Sequence, residues 1–238
     1  MTGDRATLRD GREATPAEDD DPYCLRPGEA QALLDGHPWR RFAVLGDSIA
    51  EGVSEPVPGY SPLPLADRVA AELSRTSTRL TYLNLGRSGR RTHEVRAGQL
   101  ASALAFEPDL ALVVCGANDA LRPGYERRAD AVDRDLAAMI RALQACGAEV
   151  VTVSIFVRGQ YPSLPSWLKP TPTERMALLA RRTTALAAEL GTLHVDLADH
   201  PAAADPSTVS SDGLHGNARS QSVAAAEAVR LLGARIRR

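Results

Sequence analysis

The chain is almost without lysine. Of 28 basic residues in 238, Lys169 alone is not arginine. With so much alanine beside it, this arginine excess reads as the compositional bias of a GC-rich genome and not as an anion-binding surface. Aromatic residues are only 4%, so Leu, Val and Ala must build the core. A net charge of -2 and a pI near 6.2 give no general attraction for nucleic acid. The longest apolar runs, such as Leu110 to Cys115, fall far short of the ~20 residues that span a bilayer, so no integral membrane segment is expected. The three cysteines, Cys24, Cys115 and Cys146, are an odd set at unrelated spacings. They suit neither a disulfide framework nor a zinc site. Between Met1 and Asp21 there is no basic start followed by an apolar stretch of ~7–15 residues, as a secretory signal requires. The expected location is therefore cytoplasmic.

What is present is patterned. Residues 1–22 are acidic and poor in large apolar side chains, and are expected to form a disordered tail before a single domain over 23–238. From Phe42 onward, short apolar runs alternate with helical patterns. The runs are Phe42–Gly46, Leu80–Gly86, Asp109–Gly116, Val150–Phe156 and Leu193–Leu197. Strands buried on both faces of a parallel sheet read this way. Between them, Val132, Leu136, Met139, Ile140 and Leu143 share one face of a helix. Leu179, Leu186 and Leu190 mark another helix, and Val223, Val229, Leu232 and Ile236 a last one. Strand and helix in alternation predict a three-layer α/β domain, with ligands at the C-terminal ends of the strands.

Four short motifs fall where that rule directs attention. The first strand runs into Gly46-Asp47-Ser48, the second into Asn84-Leu85-Gly86-Arg87-Ser88-Gly89, and the third into Gly116-Ala117-Asn118-Asp119. Asp212-Gly213-Leu214-His215 stands just before the last helix. Each taken alone is an ordinary turn or helix cap. Together they supply the parts that acyl transfer requires: a nucleophile, a base, a group orienting that base, and oxyanion donors. Ser48 fits the nucleophile, His215 the base and Asp212 its orienting partner. The Gly86 N–H and the Asn118 amide fit the oxyanion donors, with the Ser48 N–H as a third.

In these four blocks the sequence closely resembles the SGNH hydrolases, also called GDSL-type esterases and lipases. The resemblance implies a three-layer α/β/α sandwich with a flavodoxin-like, five-stranded parallel sheet. It implies Ser48, Asp212 and His215 as catalytic residues, and Ser48, Gly86 and Asn118 as the oxyanion hole. It further implies cleavage of a small carboxylic ester through an acyl-enzyme, without metal or cofactor. The chain departs from the family where Gly216 follows the histidine in place of a frequent Pro, and again at Ser220-Gln221. An acyltransferase or a thioesterase would use the same machinery, and a non-catalytic binding domain is the alternative from another class.

Other sites find no support. There is no Gly-x-Ser-x-Gly elbow, no Walker lysine motif and no Gly-x-Gly-x-x-Gly after the first strand. His37, His93, His194 and His200 are scattered without metal-ligand spacing. Two proline-rich segments, Val53–Pro64 and Arg158–Thr173, offer Tyr60, Tyr161 and Trp167 as substrate contacts, or are merely stiff connections packing their own aromatics. Arg87, Arg90, Arg91 and Arg96 offer attraction for an anionic substrate, but in so arginine-rich a chain they read first as a solvated helix face.

Overall fold

The computed structural model describes residues 16–76, 80–157 and 170–237. Successive strand side chains point to opposite faces of a sheet, and this alternation divides the core. In β1 (Arg41–Gly46) Phe42 and Val44 pack on one face, while Leu45 packs on the other. In β3 (Leu110–Val114) Leu110, Leu112 and Val114 oppose Ala111 and Val113. In β4 (Glu149–Ser154) Val151 and Val153 oppose Val150. With β2 (Thr81–Asn84) and β5 (Leu193–Asp196) they form one sheet in the order β2-β1-β3-β4-β5. Every pairing in it is parallel.

Helices cover both faces, as a parallel sheet requires. On the Phe42 face lie α2 (Glu29–Leu34), α4 (Leu65–Thr76) and α9 (Ala218–Ile236). On the Leu45 face lie α5 (Thr92–Ala105), α7 (Ala129–Ala145) and α8 (Pro170–Leu190). Three shorter helices are also present among the described residues: α1 (Pro16–Asp20), α3 (Ser48–Glu51) and α6 (Ala117–Ala120). The helical face expected in α7 is the one that is buried, from Val132 to Leu143. The expected sandwich is the observed fold.

The expected tail is too long at its inner end. Residues 16–20 form α1, and Glu18 is only 2% exposed. Its carboxylate lies 2.6 Å from the buried Arg68 guanidinium and accepts the Ser61 N–H at 2.8 Å. Asp21 is likewise buried, 2.7 Å from Nε of Arg219. These acidic residues are held by arginines far along the chain, a pairing that composition does not reveal. Together the two contacts tie the segment to α4 and α9.

Candidate active site

β1 ends at Gly46, and the chain turns at once into α3. Asp47 caps that helix, its Oδ1 accepting the Ile49 N–H at 3.1 Å, and Ser48 follows as the first helical residue. A buried glutamine fixes the turn from below: Gln99 Oε1 accepts the Gly46 N–H at 2.8 Å and Gln99 Nε2 donates to the Gly46 carbonyl at 2.9 Å. The Ser48 hydroxyl therefore emerges from a rigid corner at the C-terminal edge of the sheet.

His215 arrives from the far end of the chain on a loop that precedes α9. That loop is closed by an antiparallel bridge between Val209 and Gly216 and by the Ser210 N–H on the His215 carbonyl at 2.9 Å. Gly216, where the sequence departs from the family pattern, thus holds a bridge position. Glu55 props the loop from outside: its side chain accepts the Ser211 N–H and its carbonyl accepts the Ala218 N–H. The proline-rich segment after α3 serves here as a support for the histidine loop.

The three side chains meet. His215 Nε2 is 2.9 Å from Ser48 Oγ, and His215 Nδ1 is 2.6 Å from Asp212 Oδ2. Partial burial raises the Asp212 pKa, but the His215 ring and the Leu214 and His215 N–H groups outweigh it, and the net shift is downward. The carboxylate is thus kept ionised opposite the imidazole. Asp47 behaves in the opposite way. Its side chain is fully buried, and that burial, with the nearby Asp119, pushes its carboxyl up to about 7 against the Ile49 N–H and the His215 charge.

One of the N–H groups expected as an oxyanion donor is engaged elsewhere. The Gly86 N–H is already given to Asn84 Oδ1 at 2.9 Å. Gly86 is instead a close-packing residue, since a Cβ there would stand 2.3 Å from the Glu51 backbone nitrogen. Three residues on, Gly89 is exposed at φ +75 with nothing crowding it, and its N–H has no acceptor among the described residues. The neighbouring Arg90 carbonyl accepts from Asn118 Nδ2 at 3.1 Å. Asn118 Nδ2 also faces Asp47 Oδ2 at 3.4 Å, beyond ordinary N–H···O lengths. The Ser48 N–H likewise has no acceptor among the described residues.

A cavity of about 90 Å³ lies at these groups, with Ser48, Asn118 and His215 in its lining. Val153, Phe156, Met176 and Leu197 supply apolar wall. Tyr60 is not among the lining residues. Its hydroxyl donates to Asp21 Oδ2 at 2.9 Å, so it braces the N-terminal segment. Tyr161 and Trp167 lie outside the described residues. Of the arginines nearby, Arg91 pairs with Glu94, Arg96 pairs with Asp135, and Arg87 donates to the Gly86 carbonyl. Among the described residues no three His, Cys, Asp or Glu side chains stand together as metal ligands, and no helix is long and apolar enough to cross a membrane.

A Ser–His–Asp chain above the carboxyl edge of a five-stranded parallel sheet defines a hydrolase of the α/β/α type. Residues 44–222 match the model of the GDSL-like lipase/acylhydrolase family, and the chain belongs to that family. In the general sense it is an ester hydrolase.

Solved structures agree in fold. The lipase/acylhydrolase from Enterococcus faecalis is 21% identical and superposes with a TM-score of 0.65, over 82% of this chain and 96% of that one. A catalytic mutant of an acetylxylan esterase from Geobacillus stearothermophilus is 17% identical with a TM-score of 0.62, over 84% of this chain and 95% of that one. No curated protein matches the chain in sequence.

Proposed function

We propose that the protein is a serine esterase that cleaves small carboxylic esters through an acyl-enzyme. The observation that carries this reading is the unbroken contact from Asp212 Oδ2 through the His215 ring to Ser48 Oγ. Asp212 holds the Nδ1–H tautomer, which leaves Nε2 as the acceptor facing Ser48. Ser48 Oγ attacks the ester carbonyl as its proton passes to Nε2. The imidazolium then protonates the departing alkoxide, releasing the alcohol and leaving the acyl group on Ser48. In the second half Nε2 takes a proton from water, the hydroxide attacks the acyl-enzyme, and the proton returns to Ser48 as the acid leaves.

The tetrahedral oxyanion takes its hydrogen bonds from the Ser48 N–H, the Gly89 N–H and the Asn118 amide. Gly89 replaces Gly86 in this role because its N–H is uncommitted. The Asn118 hydrogen held loosely by Asp47 is the one that turns to the oxyanion, in keeping with catalytic bonds that tighten only in the transition state. The acyl group enters the cavity. In the test, a fluorophosphonate probe is applied with a series of p-nitrophenyl esters of graded chain length. Labelling confined to Ser48, with hydrolysis lost in Ser48→Ala, is the expected result. A folded protein that neither labels nor hydrolyses any ester in the series contradicts the reading.

A further inference from the structure

The cavity wall is not wholly apolar. Ser220 and Gln221, in the first turn of α9, both line it, at 3% and 6% exposure. Gln221 Oε1 accepts the Leu65 N–H at 3.0 Å. A backbone N–H can face only the carbonyl oxygen of an amide, so this bond fixes the orientation of the side chain. The Nε2 donors are then directed away from Leu65, and they have no acceptor among the described residues. The Ser220 hydroxyl likewise has no partner among the described residues, while its backbone N–H is accepted by Asn217 Oδ1. Neither group is sealed into the core without contact, since neither Nε2 nor Oγ belongs to the fully enclosed, unpartnered atoms. Both belong to residues of the cavity wall.

Two polar groups held at a nearly buried cavity wall with no protein partner are left for whatever enters the cavity to satisfy. A cavity built only for a hydrocarbon chain would carry leucine or alanine there, as Ala224 does one turn further on. We propose that Gln221 Nε2 and Ser220 Oγ form a polar subsite that reads an oxygen atom within a short acyl chain. The preferred substrates are then hydroxyacyl or alkoxyacyl esters over plain alkanoyl esters of equal length. The cavity is small, about 90 Å³, which suits a short acyl chain with its oxygen in the first positions after the carbonyl. A hydroxyl there accepts from Gln221 and donates to Ser220, whereas an ether oxygen accepts alone. This inference rests on the esterase reading above.

The test compares p-nitrophenyl methoxyacetate with p-nitrophenyl butyrate, which differ by an oxygen in place of one methylene. The measured quantity is the ratio of their kcat/KM values in wild type, Gln221→Met and Ser220→Ala, each checked for folding by its melting temperature. The greater intrinsic reactivity of the methoxyacetate is common to all three proteins and cancels. The methoxyacetate preference is expected to fall at least about tenfold in Gln221→Met and severalfold in Ser220→Ala, as when a hydrogen-bonding subsite loses its donor. An equal ratio in all three proteins overturns the subsite while leaving the esterase reading intact. Failure of the wild type to label at Ser48 and to hydrolyse either ester overturns both. Should Gln221→Met not fold, Ser220→Ala decides alone.

Discussion

Both carboxylate oxygens of Asp212 are committed to His215. Oδ2 lies 2.6 Å from Nδ1 of the ring, and Oδ1 accepts the backbone N–H of the same residue at 2.9 Å. One side chain thus sets the position of the histidine backbone and the tautomer of its ring. The Leu214 N–H, also on Oδ1 at 2.9 Å, closes the turn.

Asp212→Asn separates these two tasks. The amide oxygen can keep the backbone N–H groups, so the melting temperature is expected to stay close to wild type. The amide nitrogen opposite Nδ1 favours the wrong tautomer, and kcat should fall by about 10²–10⁴. A variant with near wild-type kcat and an inactive His215→Ala would show that another group orients the ring.

Asn118→Ala removes the proposed oxyanion donor without altering the triad. A loss of about 10²–10³ in kcat with little change in KM is expected, because the donor acts on the transition state. Steady-state kinetics on one p-nitrophenyl ester checks this. A loss carried mainly by KM would make Asn118 a ground-state contact.

Gly86 and Gly89 lie three residues apart and should respond differently to alanine. At Gly86 the new methyl meets the Glu51 backbone, so stability falls by about 2 kcal/mol or more, within the range of overpacking. At Gly89 there is space, but φ +75 strains any L-residue by about 1–2 kcal/mol and moves the N–H. Gly89→Ala is therefore expected to lower kcat more than tenfold at modest cost in urea stability. Full kcat in Gly89→Ala would remove it from the oxyanion hole.

Glu18→Gln tests the unexpected docking of the N-terminal segment. It leaves the Arg68 charge buried without its carboxylate, a change that costs about 3–5 kcal/mol in comparable buried pairs. Urea denaturation should show a loss of that order, with kcat of the folded enzyme largely retained. A loss under about 0.5 kcal/mol would mean that α1 does not hold to α4.

Asp47 gives the protein a stability that depends on pH. A free aspartate titrates near ~3.9, whereas burial pushes Asp47 up to about 7. Between these values the folded chain holds a proton that the unfolded chain has released, so stability falls as pH rises through that window and then levels. Asp47→Asn has no such proton. Its advantage in unfolding free energy over wild type should grow between pH 4 and pH 8, by about 2 kcal/mol or more at ~1.4 kcal/mol per pH unit. A difference that stays constant with pH would falsify the assignment.

The layers, and the three side chains Ser48, His215 and Asp212 that meet, were legible in the sequence. Alternation in Phe42–Leu45 and Leu110–Val114 decides which side chains face each helical layer, because strand geometry leaves no other choice. The parallel order places the Ser48, Asn84–Gly89 and Asn118 turns at one edge of the sheet, and Asp212 needs only the three-residue spacing to reach His215. Which glycine of the second turn keeps an uncommitted N–H among the described residues was not legible there. That depends on Asn84 Oδ1 capturing one amide and α3 pressing on the same residue. Nor could local pattern show that Glu18 meets Arg68, that Gln99 clamps Gly46, or that Gln221 accepts the Leu65 N–H. Each is a polar contact between residues 50 to 156 positions apart. A polar side chain looks the same in sequence whether water or a buried partner satisfies it, and only the packed fold removes the water.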